Sequence, residues 1–161
     1  MADKPLIEKT FNEDLDVEQR IREGGVLAII YLEVHGNDEN AAKLALENTV
    51  FERMAKEGDV NLLEVRMFDI RKDDTEKFSG AVEIKLVSRH FRGFISLIMR
   101  YGPTAIEIIE PDTLHLSLEE MQAIVGEVSS MTQFYSSRIL SLLKDEERLS
   151  IYNKMLGSDD L

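Results

Sequence analysis

The segment 26–34 constrains the fold of this chain more than any other feature of its sequence. It is apolar at every position except Glu33, whereas a strand that exposes one face alternates apolar with polar residues. A continuous apolar run of this kind is typical of a strand that is covered on both faces. We therefore expect residues 26–34 to form a central strand of a sheet.

Two helices and three further strands follow in a regular order. Apolar residues at helical spacing predict one helix between Asp38 and Gly58, and another over residues 91–100. Alternating or apolar runs predict the remaining strands, which fall at 61–69, 80–87 and 104–110.

The order strand, helix, strand, strand, helix, strand leaves few packing solutions when each crossover is right-handed. The simplest is an α+β fold, the ferredoxin-like βαββαβ sandwich, with an antiparallel four-stranded sheet and both helices on one face. We expect its first and third strands to form the central pair and to run parallel.

The chain is predicted to have three parts. Residues 1–24 form an N-terminal appendage, with a short helix over 13–22 that Asn12 caps. Residues 25–112 form the ferredoxin-like core. Residues 113–161 form C-terminal helices over about 118–143 and 146–156, and the first of them begins at a capping box of Ser117 and Glu120.

Apolar residues recur at every seventh position of the C-terminal helices. The intervening heptad position carries Arg138 and Asp145, so the pattern lacks the second apolar position that a coiled coil needs. The stripe therefore predicts packing on the core or on a partner subunit, and a symmetric dimer is our first expectation. The predicted interface residues are Met121, Val128, Tyr135 and Leu142.

Composition excludes several classes of protein. With 19 Lys and Arg against 31 Asp and Glu, the net charge is −12, which argues against binding nucleic acid over a broad face. No apolar stretch approaches the ~18 residues that span a bilayer, and the N-terminus lacks the pattern of a signal peptide. The chain contains no cysteine, so disulfides and thiolate chemistry are excluded, and we expect a cytoplasmic protein.

The loops after the first and third strands are the one predicted ligand site. If those strands were parallel, the two loops would lie side by side, and each leads into a helix N-terminus that attracts anions. Arginine there would add donors suited to carboxylate or phosphate. The candidate residues for a small anionic metabolite are Asn37, Asp38, Ser88, Arg89, His90 and Arg92. The alternative is that Ser88 is an ordinary helix cap and that the arginines serve solubility or a subunit contact.

A metal site is a second alternative at the same loops. His35, His90 and Asp38 are ligand types for a divalent ion, although neither histidine belongs to a closely spaced ligand motif. The sequence contains no nucleophile elbow, P-loop or dinucleotide fingerprint. We therefore predict no catalytic residue and no cofactor.

Part of the chain resembles a known family. The segments Tyr101-Gly102-Pro103 and Glu110-Pro111, together with Ile108, Leu114 and Tyr135, resemble the C-terminal extension domain of WYL-type bacterial transcriptional regulators. The resemblance covers residues 81–135. It implies oligomerisation and regulation, without catalytic residues. The Trp-Tyr-Leu signature itself cannot occur here, because the chain contains no tryptophan.

Three functions remain open from the sequence. The first is a non-enzymatic, self-associating α+β module with an interaction or regulatory role. The second is a sensor of a small anionic molecule at the paired loops, and the third is a metal-dependent enzyme.

Overall fold

An antiparallel sheet of six strands forms the centre of the first part of the molecule. The computed structural model describes residues 4–72 and 76–155, and these divide into two compact units after Glu120. The strands are β1 (Ile7–Thr10), β2 (Leu27–Gly36), β3 (Val60–Met67), β4 (Arg71–Lys72), β5 (Phe78–Ser88) and β6 (Ala105–Glu110). Their order across the sheet is β1-β3-β5-β2-β6, and β4 pairs with β5 outside this path.

Helices occupy the connections that the apolar spacing predicted. They are α1 (Val17–Arg22), α2 (Glu39–Glu47), α3 (Phe91–Tyr101), α4 (Leu118–Leu142) and α5 (Asp145–Met155). α2 continues through a π-helical segment, Asn48–Arg53, and a 3-10 turn, Met54–Lys56. The α+β fold class is thereby confirmed, with two more strands than predicted.

One face of the sheet carries the hydrophobic core. Alternate residues of β2 and β5 point to this face, so that Ala28 lies opposite Leu86 and Ile30 lies opposite Ile84. Buried side chains of α2 and α3 join them in one cluster. Burial of this apolar surface is the main source of stability for such a unit.

The other face of the sheet, here called the open face, is covered at one end and polar at the other. Leu27 and Val87 are buried, and α1 packs against β5. Farther along the strands, the half-buried Tyr31 and Arg66 share this face with Glu83. On the core face the run is buried from Val26 to Leu32 and partly buried at Val34, whereas on the open face it is buried chiefly at its beginning.

The predicted parallel pairing of the first and third strands is wrong. They are β2 and β5, which are neighbours but antiparallel, with Leu27 opposite Val87 and Gly36 opposite Phe78. The crossover through α2 makes β3 parallel to β2, and the reversal between β3 and β5 then makes β5 antiparallel to both.

Residues 1–24, predicted as an appendage, contribute to the sheet, since β1 pairs with β3 along its edge. The predicted cap of the first helix is wrong. Asp16, not Asn12, caps α1 by accepting a hydrogen bond from Gln19 N at 2.9 Å. Asn12 has a positive φ of 49°, and its side-chain amide donates to Leu62 O at 2.8 Å, so it anchors the chain to β3 instead.

The second unit comprises most of α4 together with α5. The capping box that begins α4 is confirmed. Ser117 N donates to Glu120 Oε2 at 2.8 Å, and Glu120 N donates to Ser117 Oγ at 3.1 Å. The predicted end of the last helix at Leu156 lies outside the described residues. None of the helices in the described part of the chain is long and apolar enough to cross a lipid bilayer.

Candidate functional site

The two loops predicted to form one ligand site lie at opposite ends of the sheet. Asn37 and Asp38 follow the end of β2, where Gly36 is paired with Phe78 at the start of β5. Ser88 is the last residue of β5 and lies opposite Val60. The structure therefore does not bring the two groups of candidate residues together.

Each loop has a structural role of its own. Asp38 caps α2, because its Oδ1 accepts a hydrogen bond from Ala41 N at 2.7 Å. Ser88 is fully buried, and its Oγ accepts a hydrogen bond from Val26 N at 3.0 Å. The hydroxyl of Ser88 thus satisfies a buried backbone donor at the start of β2, where no water can replace it.

His90, not Ser88, caps α3. Its Nδ1 accepts a hydrogen bond from Gly93 N at 2.9 Å, and its Nε2 lies 3.6 Å from Asp59 Oδ1. Arg89 donates its backbone N–H to Asp59 O at 2.8 Å. The exposed Arg92 lies in the first turn of α3.

The predicted metal ligands are likewise separated. His35 lies near the end of β2, beside the start of β5, and its Nε2 is 3.8 Å from Glu33 Oε2. His90 follows the end of β5, at the opposite end of the sheet. Within residues 4–72 and 76–155, no three His, Asp or Glu side chains are grouped so that they could hold a metal ion.

A cleft of about 700 Å³ lies at the polar end of the open face. Its lining combines acidic, basic and apolar side chains from β1, β2, β3 and β5 and from the segments beside them. The lining residues are Pro5, Glu8, Glu33, His35, Arg66, Phe68, Asp69, Arg71, Ser79, Gly80, Ala81 and Glu83.

Arg66 is the central charge of this cleft. Its Nε lies 2.9 Å from Glu8 Oε1 and its Nη1 lies 3.2 Å from Glu83 Oε1, and it also pairs with Glu64. Hydrogen bonding to Glu8 and the neighbouring carboxylates raise the pKa of Arg66 above its usual value.

Tyr31 completes the cluster from β2. Its hydroxyl donates to Glu83 Oε2 at 2.9 Å, and this hydrogen bond, assisted by burial, raises the pKa of Tyr31. No local pattern in the sequence predicts the cleft. The exposure of Glu64 and Arg66 could be read from the alternation along β3, but their partners on other strands depend on cross-strand register.

The predicted interface residues share one exposed side of α4. The exposed fraction is 45% for Met121, 41% for Val128, 47% for Tyr135 and 76% for Leu142. Val125 and Ile139 lie among them and are also exposed. We call these six residues the α4 stripe. The opposite side of the helix carries mostly small or uncharged polar residues, namely Gln122, Gly126, Ser129, Ser130, Gln133 and Ser137, together with the apolar Phe134 and Leu140.

A second exposed apolar surface lies on β6, at one edge of the sheet. Ile106, Ile108 and Ile109 are all exposed there. Glu107 and Glu110 alternate with them along the same strand.

The comparisons with known proteins place the chain in a family without naming a function. The sequence profile of the MJ0538 family matches residues 27–155. Neither a curated protein nor a solved structure matches the chain. The matched region includes residues 81–135, but none of these comparisons links the chain to WYL-type regulators.

Proposed function

The chain belongs to the MJ0538 family, and we propose that it is a non-enzymatic, self-associating α+β module with a regulatory or interaction role in the cytoplasm. Copies of the chain join through the α4 stripe. The observation that carries this proposal is that every side chain of α4 is at least partly exposed, including the large apolar residues of the stripe. The resemblance of residues 81–135 to an oligomerising extension domain supports the same proposal.

Exposed apolar side chains on this scale favour an interaction surface. Contiguous apolar patches on soluble monomers are small, and larger ones mark sites of association. The amphipathic arrangement of α4, apolar on one side and rich in serine and glutamine on the other, is that of a helix that packs on one side only.

The edge strand β6 is the less suitable of the two exposed apolar surfaces for self-association. Its two charged residues, Glu107 and Glu110, are both acidic. Pairing of β6 with β6 of a second copy would bring carboxylates near each other, and like charges on paired strands are destabilising. Charged side chains on an edge strand are a common protection against such pairing.

For the first unit, we propose the finer assignment of a ferredoxin-like arrangement over residues 27–110. The strand order β3-β5-β2-β6 supports it. So does the sharing of one core cluster by α2 and α3. In this arrangement β1 and β4 are additions to the four-stranded pattern.

The molar mass of the full chain in solution tests self-association. We expect light scattering coupled to size exclusion to give the mass of a dimer for the wild type. Val128→Glu places a charge in the α4 stripe, and we expect the mass of a monomer. Ser130→Glu adds the same charge on the opposite side of the same helix and serves as the matched control, for which we expect a dimer.

Two outcomes would contradict the proposal. A wild-type monomer at every concentration tested would remove self-association altogether. A Val128→Glu variant that is folded and still dimeric would move the interface away from α4.

A second candidate function, the sensing of a small molecule, is favoured by the cleft of about 700 Å³. Its carboxylates, from Glu8, Glu33, Asp69 and Glu83, outnumber the guanidinium groups of its arginines. A cationic ligand with an apolar part fits this lining better than the anionic metabolite expected from the sequence. A thermal-shift panel of organic amines, with carboxylates as controls, tests it, and an unchanged melting temperature with every amine counts against this function.

A further inference from the structure

We infer that two copies of α4 pair antiparallel, so that Glu127 of one chain faces Arg138 of the other. The inference rests on the proposed self-association and adds the orientation and register of the partner. It depends on where the two charged residues that follow the first turn of α4 lie relative to the stripe.

Residues 121–142 contain one acidic and one basic residue, Glu127 and Arg138. They are eleven positions apart, which is close to three turns of an α-helix, so they lie on the same side of α4. The same geometry places both of them at one flank of the stripe, beside Val128 and Tyr135. In an antiparallel pair related by a two-fold axis, equivalent flanks of the two helices face each other.

In an antiparallel pair, a single register places opposite charges against each other and apolar residues against each other. The axis that brings Glu127 opposite Arg138 passes between Thr132 and Gln133. The stripe residues pair across almost the same axis, because the midpoint of each pair lies within about one residue of it. The pairs are Met121 with Leu142, Val125 with Ile139 and Val128 with Tyr135. The charge pair and the stripe therefore specify one register.

A parallel pair would lack this complementarity. In a parallel pair the two-fold axis runs along the helices, so each flank faces the opposite flank of the partner. Glu127 and Arg138 would then face uncharged residues such as Ser129 and Ser136, and no opposite charges would meet. Opposite-charge contacts across an interface fix its orientation and register, and only the antiparallel pair forms them here. The charges of α4 thus select the antiparallel orientation.

Cysteine cross-linking tests the orientation directly, because the full chain contains no cysteine of its own. Thr132 lies next to the proposed axis, so we expect Thr132→Cys to form a disulfide-linked dimer on mild oxidation. Val125→Cys alone should stay uncross-linked, because two copies of residue 125 lie far apart in an antiparallel pair. A mixture of Val125→Cys and Ile139→Cys should form the mixed disulfide.

Charge exchange tests the register independently. We expect Glu127→Lys and Arg138→Glu each to weaken the dimer about tenfold, since each creates two like-charge contacts. The double variant restores two opposite-charge contacts and should dimerise like the wild type. In a parallel pair both positions would face uncharged residues, so the single and the double variants would all dimerise like the wild type.

The outcomes separate this inference from the function on which it rests. A monomeric wild type would contradict self-association itself. The antiparallel orientation would be overturned, and self-association kept, by a dimer in which Val125→Cys cross-links with itself. The mixture with Ile139→Cys would then form no mixed disulfide. Cross-linking as described, together with restoration by the double charge exchange, would establish it.

Discussion

Arg100 Nη1 lies 2.6 Å from Oε1 and 2.7 Å from Oε2 of Glu57. The contact joins the last turn of α3 to the residue that follows the 3-10 turn after α2. Tyr101 adds a third hydrogen bond, because its hydroxyl donates to Glu57 Oε1 at 2.6 Å. The ends of the two core helices are thus tied together by one carboxylate.

Replacement of this carboxylate should destabilise the protein in a pH-dependent way. Burial alone would raise the pKa of Glu57, but the hydrogen bonds from Tyr101 and Arg100 outweigh it and lower the pKa below its usual value. A lowered pKa contributes stability that is present above the unfolded value of about 4.5 and is lost as the pH falls through the folded value. We expect Glu57→Gln to cost about 1–2 kcal/mol near neutral pH and less at about pH 3, measured by urea denaturation.

Glu52→Gln is the matched control for this prediction. Glu52 makes a salt bridge with Lys56 at 2.6 Å, but both side chains are largely exposed. Exposed pairs of this kind contribute little to stability. An equal loss of stability in both variants would mean that the hydrogen bonds from Arg100 and Tyr101 to Glu57 contribute no more to the free energy of unfolding than an exposed ion pair does.

Tyr101 should limit stability at alkaline pH. Burial and the hydrogen bond to Glu57 raise the pKa of Tyr101 from 10.0 to about 12. A raised pKa contributes stability that is fully present below the unfolded value and is lost as the pH rises through the folded value. We expect the wild type to lose more stability than Tyr101→Phe between pH 10 and about pH 12. Parallel losses in the two proteins, measured by urea denaturation across this range, would contradict the assignment.

Gly25 should not tolerate a side chain. A Cβ atom at this position would lie 2.3 Å from Ser88 O and 2.7 Å from Arg20 O, both of which are backbone atoms. Since backbone cannot yield as the end of a side chain can, we expect Gly25→Ala to cost about 3 kcal/mol of folding free energy. At Gly58 a Cβ would meet nothing within 4 Å, so Gly58→Ala is the control. A similar melting temperature for the two variants would contradict the close approach of β5 to this residue.

Local signals predicted much of the fold because they act within a few residues of each other. The capping box of Ser117 and Glu120 is one case, and α4 begins where it predicted. Another is the alternation along β5, which predicts that Val82, Ile84 and Leu86 point inward, and all three are buried. These patterns depend on helix or strand periodicity alone.

Properties of strand pairing were harder to predict. Alternation alone predicts that Leu63, Val65 and Met67 point to one face of β3 and that Glu64, Arg66 and Phe68 point to the other. The pairing with β5 shifts register between Leu62 and Glu64, so Leu62 is buried and Leu63 is half-buried. A bulge of this kind is set by the partner strand, which the sequence of β3 does not contain.

The same difference between local patterns and strand pairing applies to the candidate sites. The α4 stripe was predicted because its residues share one side of one helix. The cleft around Arg66 was not, since Arg66 lies opposite Glu8 of β1 and opposite Glu83 of β5. The predicted pairing of the loops at Asp38 and Ser88 was wrong because it depended on strand direction, which three successive connections determine.

A last prediction separates the two exposed apolar surfaces. Ile108 lies on the edge strand β6, opposite Ala28 of β2, and is exposed. Like-charge contacts between Glu107 and Glu110 of two copies already disfavour pairing of β6 with itself, so replacing Ile108 by lysine removes no contact from the proposed dimer. We therefore expect Ile108→Lys to leave the mass of the dimer unchanged by light scattering, whereas Val128→Glu gives a monomer. The reverse result, a monomer from Ile108→Lys and a dimer from Val128→Glu, would assign self-association to the edge of the sheet.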